Sequence, residues 1–166
     1  MVEPLPKARP RTVDPSETTP PLYVFGDVLE EVRFNGQWRP DRTAGGLLVG
    51  GHYRDEADGG AFVEAEGFVA GAHVGDVHEF TQYLRVQWKS ATAALRYHFP
   101  EAEIVGWYLA MAEPGPPGQA ALVLHNTFFN HPWQIGLWVA GDEPPRAVRP
   151  SGDGLTESPV GVVASR

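Results

Sequence analysis

The chain contains no cysteine, so neither disulfides nor thiolate metal sites are open to it. Positive charge is also scarce: 13 Lys and Arg stand against 21 Asp and Glu, a formal net charge of -8. A nucleic-acid-binding surface needs a positive field facing the phosphates, and this composition points away from that class. Long apolar runs are missing as well. No stretch approaches the ~20 residues of a membrane span, and the first twenty residues lack the apolar core of a signal peptide. The expectation is a cytoplasmic protein with no membrane contact. What is present, 166 residues of which 42% are hydrophobic, suits one domain with tails.

Both ends read as linker-like. Residues 1–21 carry Pro4, Pro6, Pro10, Pro15, Pro20 and Pro21 with few large apolar side chains, too little burial to offset ordering entropy. Residues 141–166 have the same character, with Pro144, Pro145, Pro150 and the run Ser151-Gly152-Asp153-Gly154. The pattern predicts a disordered N-terminal tail over 1–21, a domain over 22–140 and a disordered C-terminal tail over 141–166. The apolar patch at 160–163 then reads as an unstructured end, or as a strand offered to a partner's sheet edge.

Inside the domain, periodicity predicts a strand at 23–25 and a helix opened by Asp27 and Glu30 as a capping box and closed by Gly36. Strands follow at 46–50 and 61–69, joined by an Asp- and Gly-rich loop. A long helix from Thr81 to about His98 carries Leu84, Trp88, Ala91 and Leu95 on one stripe. Residues 104–109, 121–124 and 135–139 read as three apolar strands of a sheet covered on both faces. The fold class is α/β, a layered mixed sheet flanked by helices.

One stretch carries more information than the rest. Ile104-Val105-Gly106-Trp107-Tyr108-Leu109-Ala110-Met111 resembles the strand V-G-W-Y-H-[ST]-H-P of the JAMM/MPN (JAB-like) metalloprotease superfamily, zinc isopeptidases that cleave ubiquitin-like modifiers, and their inactive relatives. Residues 44–50 (Ala-Gly-Gly-Leu-Leu-Val-Gly) are similar to the family's strand ending in G-x-L-x-G. The helix from Thr81, followed by Phe99-Pro100, is similar to the family's connection into V-G-W-Y, and residues 125–135 resemble a segment of bacterial members. The fold so implied is the JAMM/MPN-like, cytidine deaminase-like layered α/β fold.

The same resemblance implies that the chemistry has been lost. The family's two histidines fall on Leu109 and Met111, its general-base glutamate on Thr43, and its Ser-x-x-Asp on Gln119 and Leu122. A catalytic zinc of this kind needs two imidazoles and a carboxylate, with a water in the open position for the glutamate to deprotonate. None of the five positions can serve, and Met111 is too soft a ligand to hold zinc alone. The resemblance therefore implies a metal-less pseudoenzyme without cofactor, acting as a protein-binding or scaffold module, with a ubiquitin-like protein, an active homologue or a second copy as partner. In that picture Leu109, Met111 and Leu122 form an apolar cluster in the old cleft, covered by the proline-rich loop at 113–118.

Two rival classes stay open. A hydrolase could assemble a non-standard metal site from His73, His78, His125 or His131 with acids such as Asp76 and Glu79, although no pair has a ligand spacing such as H-x-H or H-E-x-x-H. Alternatively, the altered cleft could bind a small molecule. Glu101, Glu103 and Glu113 read as solvent-facing carboxylates. Gly45-Gly46 and Gly50-Gly51 lack the lysine and following helix of a phosphate loop. Trp88, Trp133 and Trp138 read as core. The binding candidates are Trp38, set among Gly36, Gln37, Arg39 and Pro40, and Trp107, which shares one side of its strand with Leu109 and Met111.

Overall fold

The computed structural model describes residues 4–9, 20–111 and 118–164. Among them the chain forms β1 (Leu5–Lys7), β2 (Leu22–Phe25), α1 (Gly26–Gln37), β3 (Thr43–Asp55), β4 (Ala61–Val74), α2 (Val77–His98), β5 (Glu103–Met111), α3 (Gln119–Phe128), β6 (Ile135–Ala140), β7 (Arg146–Ser151), β8 (Gly154–Ser158) and β9 (Val160–Val163). This is a mixed α/β architecture. All nine strands join one sheet in the order β8-β7-β6-β5-β3-β4-β2-β9, with β1 beside β3. The two strands that end this order are separated in sequence by Pro159 alone, so the sheet curls until its edges come together. Pro159 accepts a hydrogen bond from the Leu22 amide at 2.9 Å as the chain passes from one edge to the other.

The long β3–β4 hairpin is central because its apolar residues are buried on both faces. Val24, Leu48, Ala65, Tyr108 and Leu137 form a first core with Val28, Leu29 and Val32 of α1. On the opposite face Leu47, Trp107, Leu109 and Trp138 form a second core with Phe80 and Leu84 of α2 and Ala121 and Leu124 of α3. The strands therefore read as near-continuous apolar runs. Next to β3, β5 runs antiparallel; next to β6 it runs parallel, with α3 as the crossover. Gly106 makes this pairing possible: a Cβ there would lie 1.6 Å from the Ile135 carbonyl oxygen.

Several expectations need correction. The C-terminal tail over 141–166 is not disordered through its described part, since β7, β8 and β9 complete the sheet. Ala147 faces the first core and Val148 the second, both fully buried. The run Ser151-Gly152-Asp153-Gly154 is a two-residue hairpin loop with Gly152 at φ +63°, a conformation that a side chain disfavours. The apolar patch at 160–163 pairs with the chain's own β2.

The N-terminal tail is likewise ordered over residues 4–9. There β1 pairs with β3, Lys7 meets the buried Glu64 at 2.5 Å, and the buried Arg9 meets Asp58 at 2.7 Å and Asp55 at 3.3 Å. Ion pairs and backbone bonding anchor this segment, which is why its poverty in apolar residues misled. Residues 10–19 lie outside the described part. A boundary at 140 also fails, because Arg33 of α1 donates to the carbonyls of Gly141 and Glu143.

Smaller differences concern single elements. Residues 121–124 belong to a helix: Ala121, Leu122, Leu124 and His125 are buried while Val123 is exposed, the 3.6-residue period rather than a strand's. Helix α2 starts at Val77, with Asp76 as N-cap accepting from the Glu79 amide at 2.9 Å, while the Thr81 hydroxyl donates to Val77 inside the first turn. No capping box opens α1, whose N-cap is Phe25; Asp27 accepts instead from the neighbouring Val28 amide. Gly36 lies within that helix, where a Cβ would come 2.8 Å from that of Ala110.

Candidate functional site

The five positions at which the resemblance places metal ligands and base converge only in part. Leu109 is fully buried in the second core on β5, and Met111, two residues on, packs partly buried against the same cluster. Ala44 pairs with Ala110, so Thr43 lies level with Met111 on the neighbouring strand, itself buried. Gln119 is exposed at the start of α3. Leu122 does not join the apolar cluster expected around Leu109. It lines, with Gln119, a separate cavity of about 310 Å³ whose other walls are Arg146, Val148, Leu155 and Glu157. The helical spacing turns Ala121 and Leu124, rather than Leu122, toward Leu109's core. The proline-rich loop at 113–117, with Glu113, lies outside the described residues.

Of the two binding candidates, Trp38 is 69% exposed at the end of α1, its ring 6.2 Å from that of Phe34, which is 63% exposed. These residues stand four apart on one helix face, a spacing that brings side chains together. Trp107 is not a surface group: it is fully buried, and its indole N–H donates to His125 Nδ1 at 3.0 Å. Its direction within the strand was read correctly, but α2 and α3 cover that side of the sheet.

The residues suggested for an alternative metal site are committed elsewhere. His73 donates from Nε2 to the Asn35 carbonyl at 2.8 Å, Asp76 caps α2, and Glu79 accepts from the Gly75 amide at 2.7 Å. Among the described residues no three His, Asp or Glu side chains are placed to share a metal ion.

Ionisable groups gather instead at the opposite end of β5 and β6. Glu103 at the start of β5 bonds His52 Nδ1 at 2.8 Å, the His52 ring stacks on Trp133 at 4.1 Å, and the His131 ring also stacks on Trp133, at 5.4 Å. Gln134 ties the segment down, donating to the Ile104 carbonyl and accepting from the His131 amide, both at 3.0 Å. Deeper in, burial pulls the pKa of His125 down to about 4, with a second contribution from the nearby charge of Arg149. Burial likewise lowers that of Arg149 to about 10. Tyr108, buried among apolar residues and near Tyr83, is pushed well above the usual phenol range; its hydroxyl donates to Asn35 Oδ1 at 2.9 Å. Sequence reasoning placed no weight on Arg149, since the segment around it looked like a tail.

No helix of the described residues is long and apolar enough to cross a membrane. No family model matches the chain, and no curated protein matches it. Among solved structures, the chain is similar to the solution structure of protein DSY2949 from Desulfitobacterium hafniense, with a TM-score of 0.57 and 16% identity over 87% of this chain and 94% of that one. At that identity the likeness is one of fold alone, and it covers nearly the whole of both chains.

Proposed function

We propose that the chain is a catalytically inactive JAMM/MPN-like module that acts by binding a protein partner. The observation that carries this reading is the burial of Leu109: the position at which the resemblance expects the first metal ligand is a fully buried apolar side chain among Phe80, Trp107 and Trp138. Ligation there would require a polar ring in a dry core. The stretches that carry the resemblance, 44–50, 81–103, 104–111 and 125–135, fall on β3, α2, β5 and the α3–β6 connection, around one sheet. The exposed Phe34–Trp38 pair is the interaction surface in this reading, because large aromatic groups on a rigid element make good interface anchors. A ubiquitin-like protein or an active homologue is the partner that the resemblance implies.

The test is metal content combined with melting. Purified protein is expected to carry no stoichiometric zinc, to melt at the same temperature with and without chelator, and to leave a ubiquitin-like fusion uncleaved. About one zinc per chain, removable with loss of stability, would overturn the reading. One observation favours a second reading, a small-molecule site in the altered cleft: two of the substituted positions, Gln119 and Leu122, line the cavity of about 310 Å³ beside Arg146 and Glu157.

A further inference from the structure

A cavity of about 350 Å³ opens between the last turn of α3, the segment that follows it and the end of β7, lined by His125, Asn126, Phe129, Asn130, His131 and Arg149. It lies away from the substituted positions at the far end of β5, and no function above uses it. Arg149 is only 4% exposed. Its guanidinium donates from Nη1 to the Pro20 carbonyl at 2.6 Å and to Ser158 Oγ at 2.8 Å, and from Nη2 to the Trp133 carbonyl at 3.1 Å. All three acceptors are neutral, and Nε has no partner. A guanidinium carries five N–H donors, so three bonds leave the group short of its capacity. Buried cations ordinarily find an opposite charge, and none of the described carboxylates pairs with this one.

His125 adds a second donor. Burial keeps it neutral near pH 7, and its Nδ1 accepts from Trp107. The proton of the neutral ring therefore sits on Nε2, by the logic that a ring nitrogen accepting a hydrogen bond carries none. No Asp or Glu lines the cavity, although the chain as a whole carries a net charge of -8.

We propose that this cavity binds a small carboxylate, held by the Arg149 guanidinium and the Nε2–H of His125. Arg149 is its one permanent cation and His125 is neutral, so a monoanion is balanced where a phosphate dianion is not. Nη2 makes one of its two possible bonds, so a carboxylate oxygen can accept from its second N–H in a charge-assisted hydrogen bond. Phe129, Pro132 and Pro150 offer apolar walls to the body of the ligand, and Asn126 and Asn130 offer amides to its polar substituents. The volume suits a compact acid, or the terminal residue of a peptide chain.

The test is an NMR titration of the full-length ¹⁵N-labelled protein with benzoate, with N-acetylglycine as a stand-in for a peptide end, and with inorganic phosphate. At least one of the two acids is expected to shift the Trp107 indole N–H and the amides of His125, Asn130 and Arg149 saturably, and phosphate to bind more weakly. Arg149→Lys, which keeps the charge but not the planar fork, should weaken the better acid by about tenfold or more. Tighter binding of benzoate assigns a free small acid, and tighter binding of N-acetylglycine a chain end; either result supports the site. Because Arg149 also ties three segments together, the wild-type titration decides alone should the variant not fold. The proposal is overturned if neither acid gives a saturable shift at these resonances up to about 50 mM, weaker than any specific site of interest. Tighter binding of phosphate, or an unchanged affinity in a folded Arg149→Lys protein, overturns it equally.

Discussion

The two ends of the parallel pair β5–β6 differ in kind. At the C-terminal end, where binding sites usually gather outside parallel strands, the β5 side chains that face α2 and α3 are apolar: Leu109 is fully buried and Met111 packs on the same cluster. At the N-terminal end Glu103, His52, His131, His125 and Arg149 are brought within one region by strand starts and the last turn of α3. The comparison teaches that an apolar cluster at one end of the strands does not make the whole fold an inert core. Ionisable groups persist where hydrogen bonds and partial exposure sustain them, and each end should respond differently to mutation and pH.

The largest effect is expected from Leu109→His. Loss of a fully buried apolar side chain costs about 1.5–3 kcal/mol, and a buried ring nitrogen without a partner adds about 1–3 kcal/mol. Urea unfolding should show a loss of about 3–5 kcal/mol, together with no zinc uptake. A loss below about 1 kcal/mol would mean that the apolar end tolerates polar groups, and the contrast between the ends would collapse.

The next effect concerns pH at the polar end. His125 has a pKa lowered to about 4 in the folded protein, against 6.5 as its ordinary value. The unfolded chain therefore takes up a proton before the folded one does as pH falls. Stability from this group is complete above about 6.5 and is lost progressively toward pH 4, by roughly 3 kcal/mol in all. His125→Gln has no such proton to take up. Denaturant midpoints of wild type and variant between pH 4 and 8 should converge as the pH falls, the difference separating His125 from the carboxylates that titrate in the same range. Parallel profiles would show that His125 is not desolvated.

The smallest stability effect belongs to Trp38→Ala, on the surface at the end of α1. With 69% of the residue exposed, the substitution should change stability by about 0.5 kcal/mol or less. Sedimentation velocity should nevertheless reveal weaker self-association or partner binding. Unfolding of the variant without a separate association defect would move Trp38 into the core and remove the interface from the proposed function.

Much of the central domain was legible because periodicity and burial agree there. Leu84, Trp88 and Ala91 of the predicted stripe pack against the second core, and Leu95 is buried, while β3, β4, β5 and β6 contain the predicted strands. The segment at 121–124 was misread because four apolar residues fit a buried strand as well as a helix turn. The C-terminal strands were missed because prolines and glycines were counted as disorder, although Gly152-Asp153 between Val148-Arg149 and Leu155-Thr156 is also a hairpin signal.

Composition alone determined that no disulfide or thiolate site exists, and the order of residues along β5 determined that Trp107, Leu109 and Met111 share one side. Those are properties of covalent identity and of a two-residue period, and they need no partner. Which groups are buried, and beside what, only the tertiary structure decided. Lys7 and Arg9 become anchors because Glu64, Asp55 and Asp58 from a distant hairpin meet them. In the same way, Arg149 is a buried cation because Pro20, Trp133 and Ser158, from three separate parts of the chain, enclose it. Long-range contacts of this kind set the local solvent exposure, and with it the charge state and hydrogen-bonding capacity that a side chain brings to a site.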